Sequence, residues 1–331
     1  MPFMSEEGYV GIAKQTASGA GAYVTPAKYM LVDSISMEPE EKLLIPDPEI
    51  GSGRDITDAY VGPIKWTGSM EFKLRPEALG LLLLGATGAV TSSGISGNAK
   101  GHTFTFENDL IPLSIEKKVG DGLEVFGYND TKVNSLRIEC AAGELAKGSA
   151  DLVSIQETSG KTAQTPTFET APIFTFAGGR VNLDGGSISV KALSFEIKNN
   201  LIDDDYRIGS RLLGSLTEKR RELSASLDIV PENSNTYKKT VYGAQGATTV
   251  SGLQQTFKGA LHFSLESADG VYIPSTTQKY TLDVDIPSAV FRSAPIPTSG
   301  DDLIVETLEM LPIKGTQPIG TITLRNSVAS Y

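Results

Sequence analysis

The chain has little of what most catalysis is built on. Of its 331 residues one is cysteine, Cys140, and two are histidine, His102 and His262. No intramolecular disulfide and no multi-cysteine zinc centre can form, and so sparse a cysteine content suits a reducing compartment. Positive charge is short as well. Twenty-nine Lys and Arg stand against 40 Asp and Glu, a net charge of −11, which excludes a chain held to nucleic acid by clustered basic side chains. Long apolar runs are missing too: the longest, Ala78 to Val90, is broken by Gly80, Gly85, Thr87 and Gly88 and falls short of the roughly 20 residues of a membrane span. The first ten residues carry Glu6 and Glu7 where a secretion leader has positive charge, so no secreted precursor is expected.

What remains is 40% hydrophobic and 21% charged, the balance of a soluble globular chain rather than a disordered one. The length suggests about two domains. Area scaling leaves about 13,000 Å² exposed on a compact monomer, with about three quarters of the unfolded surface buried.

Strand patterns dominate. In Gly68 to Arg75, Met70, Phe72 and Leu74 face one way and Ser69, Glu71, Lys73 and Arg75 the other; in Leu223 to Ile229, Leu223, Ala225, Leu227 and Ile229 alternate with Ser224, Ser226 and Asp228. One wet face means antiparallel sheets. Further strands are expected at Met30–Met37, His102–Phe106, Leu113–Val119, Leu123–Tyr128, Val133–Cys140, Ser149–Ile155, Ile188–Ile197, Gly259–Leu265, Tyr280–Ile286, Leu303–Leu311 and Gly320–Leu324. Gly120-Asp121-Gly122 and Ala268-Asp269-Gly270 read as hairpin turns. Two helices are expected, each opened by Pro-Glu: residues 76–84, stopped by Gly85, and residues 231–242, stopped by Gly243.

The twin Pro-Glu starts lead to an internal repeat. At near-constant offset, Met70, Phe72 and Leu74 fall on Ala225, Leu227 and Ile229, and Ser36-Met37-Glu38 falls on Ser194-Phe195-Glu196. Gly51-Ser52 falls on Gly209-Ser210, Asp121-Gly122 on Asp269-Gly270, and Asp151-Leu152-Val153 on Asp302-Leu303-Ile304, with order kept throughout. The expected organisation is a first domain over 1–158, a linker over 159–171 within the polar stretch Gln156 to Ala171, and a second domain over 172–331, related by duplication. The first domain includes an arm, 1–22, and a long segment without periodicity, Pro39 to Lys65; loops of that length are usually functional or disordered.

The chain carries no catalytic pattern that its residues complete. Both histidines sit in strands among alternating apolar residues, and Cys140 closes an apolar strand, so neither offers a nucleophile with its base. Ser159-Gly160-Lys161-Thr162 imitates the end of a phosphate loop, yet the first glycine of that motif is replaced by Ile155 and no helix follows. Asp203-Asp204-Asp205, Asp301-Asp302 and Asp283 with Asp285 lack calcium-loop spacing. Asn129-Asp130-Thr131 is a formal glycosylation sequon. No catalytic, cofactor-binding or metal-binding residue is assigned.

The run Ala22-Tyr23-Val24-Thr25-Pro26, then Val32-Asp33-Ser34-Ile35-Ser36, then Gly68 to Arg75 leading into Pro76-Glu77-Ala78-Leu79-Gly80-Leu81-Leu82-Leu83 resembles the tail tube proteins (major tail proteins) of long-tailed bacteriophages. Ser194 to Leu201, Gly209-Ser210 and Arg220 to Leu223 are similar to the second-half pattern of that family. Trp66 departs from it, standing where small or charged residues are usual. The resemblance implies a mainly β fold of two tandem antiparallel sandwich or barrel domains, each with a short flanking helix. It further implies rings of this chain stacked into a tube through which DNA passes without tight binding. A duplicated chain would build a pseudo-hexameric ring from three copies. Implied partners are other copies of the chain and the tape measure, tail-tip and tail-terminator proteins. The implied location is the virion tail, after synthesis in the host cytoplasm, with no membrane and no cofactor.

On this reading Glu41, Leu44, Ile45, Asp47, Arg54, Asp55, Asp203 and Asp204 are candidates for contacts between rings, as are the arm 1–22 and the tail Gln317–Tyr331. Glu71 and Asp228 are candidates for acids lining the lumen, where they would repel phosphate. The alternative is a two-domain β-sandwich adhesin or carbohydrate-binding module. That class shows aromatics in an exposed groove, whereas aromatics here are 7% of residues and mostly alternate into strands.

Overall fold

The computed structural model describes residues 7–16, 23–51, 53–120, 124–250, 252, 256–293, 295–296 and 303–331. Strand makes up 50% of the chain and helix 7%. The first half carries β1 (Tyr9–Lys14), β2 (Lys28–Met30), β3 (Ser34–Ile35), β4 (Glu38–Leu44), β5 (Tyr60–Lys73), α1 (Leu79–Thr87), β6 (Gly88–Ser96), β7 (Ala99–Phe106), β8 (Leu113–Val119), β9 (Glu124–Ala141), β10 (Lys147–Ser154) and β11 (Gln156–Thr158). The second carries β12 (Gly179–Leu183), β13 (Gly186–Ser187), β14 (Val190–Lys198), β15 (Leu201–Ile202), β16 (Thr217–Glu218), β17 (Glu222–Ile229), α2 (Asn235–Tyr242), β18 (Lys258–Glu266), β19 (Thr281–Ser293), β20 (Glu306–Pro312) and β21 (Thr321–Asn326).

All pairings between these strands are antiparallel, as the one-faced patterns require. One run of neighbours is β4–β5–β10–β9–β14–β17–β20–β19. A smaller group, β2–β1–β8–β9, packs beside it and shares β9. The order β5–β10–β9–β8 in the first half recurs as β17–β20–β19–β18 in the second. Among the described residues two strand pairings join the halves: β9 with β14, and β7 with β21. One core runs through both halves, from Met70, Phe72 and Leu136 to Phe195, Leu227 and Phe263, each under 2% exposed.

α1 sits inside that core with all nine residues buried, so its Leu-rich sequence has no wet face to encode. Tyr331 lies on it. A Cβ at Gly80 would come within 2.1 Å of the tyrosine ring, and the hydroxyl donates to Glu77 O at 2.5 Å. Asn326 ties this clasp down, donating to Pro76 O and to Tyr331 Oη at 2.6 Å and meeting His102 Nε2 at 2.9 Å. The tail 317–331 therefore packs largely within the chain. α2 has no buried residue.

Several expectations need correction. The first helix spans 79–87 rather than 76–84. Glu169, from the segment expected to be a free linker, accepts from the N–H groups of Glu77 at 2.8 Å and Ala78 at 3.2 Å and so satisfies donors that the expected helix start would have left open. Gly85 does not stop the helix; it packs against Leu113 and Val133, and Gly88, at φ 101, ends it. The second helix ends at Gly243 as expected but starts at Asn235 rather than Pro231.

Residues 39–65 are not without regular structure: β4 pairs with the early part of β5 in a long hairpin. Every residue of β4 is exposed, so there was no alternation to read. The strands expected at Leu123–Tyr128 and Val133–Cys140 merge into β9 from Glu124 onward, Leu123 lying outside the described residues, and β9 turns at Asp130, φ 52. The segment 159–171 is held to the first half by Gln164 N–H donating to Tyr9 Oη at 2.8 Å and by Phe168 beside Tyr29. Gly270, at φ 82, makes the expected turn, but inside a longer connection. Asp121, Gly122, Ser52, Asp301, Asp302 and most of the arm 1–22 lie outside the described residues. Trp66 is 9% exposed and belongs to the core, its ring N–H without a partner.

Candidate functional site

The residues with features to explain lie on surfaces rather than in a cleft. The first surface is the β4–β5 hairpin. Its base is clamped by the second half through residues 199–219. Arg211 pairs with Glu41 and donates from Nε to Gly62 O at 2.8 Å, and Ile64 N–H donates to Arg211 O at 2.9 Å. Lys65 reaches Asp203 at 2.6 Å and Glu40 at 3.4 Å. Burial alone would push the Lys65 ammonium down; the hydrogen bond and charge of Asp203, with Glu40, outweigh it and raise it.

Glu41 and Asp203 are thus brought together and spent on each other's side of one joint. Leu44 and Ile45 are exposed, 49% and 52%, and Asp47, Arg54 and Asp55 lie on the exposed tip with Ile50 and Ile56, 110% and 74% exposed. Asp204 is close to the clamp, its carbonyl accepting from Tyr206 N–H at 2.9 Å. Lys65, Arg211 and Ile208, the last fully exposed, were not singled out by the sequence; nothing short of the fold brings residues so far apart in the chain together.

The second surface is the wet face of the run β5–β10–β9–β14–β17–β20. Register places Glu71, Ser149, Arg137, Glu196 and Ser224 in one row across it, and Asp228 on the same face opposite Thr307, whose hydroxyl it accepts at 2.8 Å. The two acids expected to share a role do share a face. They are not alone. Lys73, Lys147, Arg137 and Lys198 stand among Glu71, Asp151, Glu139, Glu196, Glu222, Asp228 and Glu309, so the face mixes signs with a negative remainder, Lys73 lying opposite Lys147. Arg137 pairs with Glu139 at 2.6 Å and Lys198 with Glu196 at 3.3 Å.

His102 is buried between Ser92 and Asn326, and burial holds its imidazole below the usual range. His262 lies 3.8 Å from Asp283 on the sheet surface. The sequon Asn129-Asp130-Thr131 is buried, which closes it to glycan transfer. Among the described residues no group of three His, Cys, Asp or Glu is placed to hold a metal ion, and no helix is long and apolar enough to cross a membrane. Among the described residues nothing assembles a nucleophile, a base and an oxyanion site; what the surfaces offer is a hairpin tip with exposed Ile45, Ile50 and Ile56 among charged residues, and a sign-mixed wall.

A comparison with curated proteins returns no match. A family model described as phage tail tube protein matches residues 5–311, most of the chain and both surfaces, and the chain belongs to that family of structural tail proteins.

Proposed function

We propose that three copies of the chain close into a ring in which their halves alternate as six wall units, and that rings stack into the tube through which DNA is ejected. The observation that carries this reading is the β9–β14 pairing, a wall-to-wall joint already made within one chain; the recurring strand order of the two halves supports it. The domains 1–158 and 172–331 are then two tube units by duplication.

The wet face lines the lumen. Its carboxylates outnumber its cations, and the adjacent Lys73 and Lys147 are each paired, with Asp33 and Glu144, so the negative remainder repels a phosphate backbone. The hairpin 38–65 reaches the neighbouring ring. Burying one Leu or Ile of its tip contributes roughly 1.5–3 kcal/mol, enough for several to hold a stack. Tape measure, tail-tip and tail-terminator proteins are its partners in the virion tail, after synthesis in the host cytoplasm. Electron microscopy of concentrated protein, with mass measurement of single rings, tests this: tubes with three copies per ring are expected, and six copies per ring or no tubes overturn it.

A further inference from the structure

The two halves treat matching stretches of chain in opposite ways. β3 pairs with β5 as β14 pairs with β17, Ile35 facing Met70 where Phe195 faces Ala225. The first half joins its strands through the β4–β5 hairpin, which is open at Ile45, Ile50 and Ile56. The second half joins them through residues 199–221, which carry the short pair β15–β16 and lie back on the first half of the same chain.

Three sets of contacts hold this stretch down. Leu201, Leu213 and Leu216 form a small core with Leu110 and Val153 of the first half, each 7% exposed or less. Asn199 is buried and donates from Nδ2 to Val133 O at 2.9 Å and to Ala86 O, near the end of α1, at 3.2 Å. Lys132 pairs with Glu218 at 2.6 Å, both side chains largely shielded from water, and donates to Leu216 O at 2.7 Å. The clamp on the hairpin, Arg211 with Glu41 and Lys65 with Asp203, is the third set. Swinging residues 199–221 outward would wet the leucine cluster, part Lys132 from Glu218 and take both acceptors from Asn199. The hairpin tip gives up nothing comparable, because Ile50 and Ile56 are exposed where they stand.

We propose that residues 199–221 are a strap that stays closed in the assembled tube, so that each chain brings one projecting arm to the next ring, from its first half alone. This rests on the ring reading above. A ring of three copies then carries three arms alternating with three straps, and one ring seats on the next in three equivalent orientations where six like units would allow six. The strap also aims the arm. Ile64 N–H donates to Arg211 O at 2.9 Å and Arg211 Nε to Gly62 O at 2.8 Å, so the hairpin base is fixed before a neighbouring ring arrives and less freedom is lost on contact.

The test locks the strap. Ile64 and Leu212 face each other across a single parallel bridge, and strand neighbours lie about 4.8 Å apart, within reach of a disulfide. Ile64→Cys with Leu212→Cys, in a Cys140→Ser background, should polymerise when oxidised at the same protein concentration as when reduced. Tubes from the reduced form alone overturn the closed strap while the ring reading stands; absence of tubes from the unsubstituted protein overturns the ring reading itself. Image averages of unsubstituted tubes give a second readout that needs no variant: density crossing to the next ring from three wall units of six is expected, and crossings from all six overturn the proposal. Arg211→Ala should raise the concentration needed for assembly about threefold, with Arg211→Lys, which keeps the charge beside Glu41, falling between; an unchanged concentration removes the strap from aiming the arm.

Discussion

β14 and the β3–β4 pair occupy the same place in their respective halves and meet opposite fates. β14 is sandwiched between β9 and β17, and its inward residues Phe195 and Ile197 are 1% and 0% exposed. Among the described residues β3 and β4 are paired on one side only, and β4 is exposed along its whole length. The difference teaches that stability and assembly are separable here: an edge covered within the chain contributes to folding, and the same edge left open contributes little to it and is free for the assembly proposed above.

The largest expected effect comes from removing the open side. Deleting Glu41 to Arg54 should leave soluble protein that forms no tubes by electron microscopy; tubes that still form would take the hairpin out of stacking. Next, Phe195→Ala should cost about 3–5 kcal/mol in denaturant unfolding of the monomer, whereas Ile35→Ala, at the matching place, should cost about 1 kcal/mol or less there and show its main effect in assembly. Equal monomer losses would erase the contrast.

A smaller effect is expected at Glu306, which begins β20 fully buried with both carboxylate oxygens unpartnered. Burial raises its pKa to about 7. The unfolded chain releases this proton in the ordinary carboxylate range, so the folded state is penalised increasingly as pH rises from there to about 7, and constantly above. Glu306→Gln should therefore be near neutral at pH 4.5 and stabilise at pH 8 by about 1–2 kcal/mol, a figure discounted for residual access to water; a flat pH difference would reject the assignment. The smallest structural effect belongs to the lumen: Glu71→Lys with Asp228→Lys should leave assembly intact and slow DNA release, and unchanged release kinetics would place that face elsewhere.

Sheet strands with one dry face were legible because alternation records burial directly: β5 and β17 could be read from Met70-Glu71-Phe72 and Ala225-Ser226-Leu227 alone. β4 was illegible for the converse reason, since Glu-Pro-Glu-Glu-Lys-Leu-Leu is wet on both faces in the monomer. Helix α1 was found but misplaced, because its start is fixed by Glu169 and its end by Gly88 rather than Gly85. At the hairpin, acids such as Glu41 and Asp203 could be singled out by composition, but not Arg211 and Lys65, whose roles exist only once residues more than a hundred positions apart meet.

The clasp of Tyr331 and Asn326 over α1 also sets a clock. Asn326 closes onto Pro76 across 250 residues of chain, and at roughly 5–20 residues per second a ribosome takes about 12–50 s to make that span. Through that interval the Gly80 face of the helix waits for its cover while β7 and β9 are already made, so one face of the first half's core is finished only when the last residues of the chain arrive.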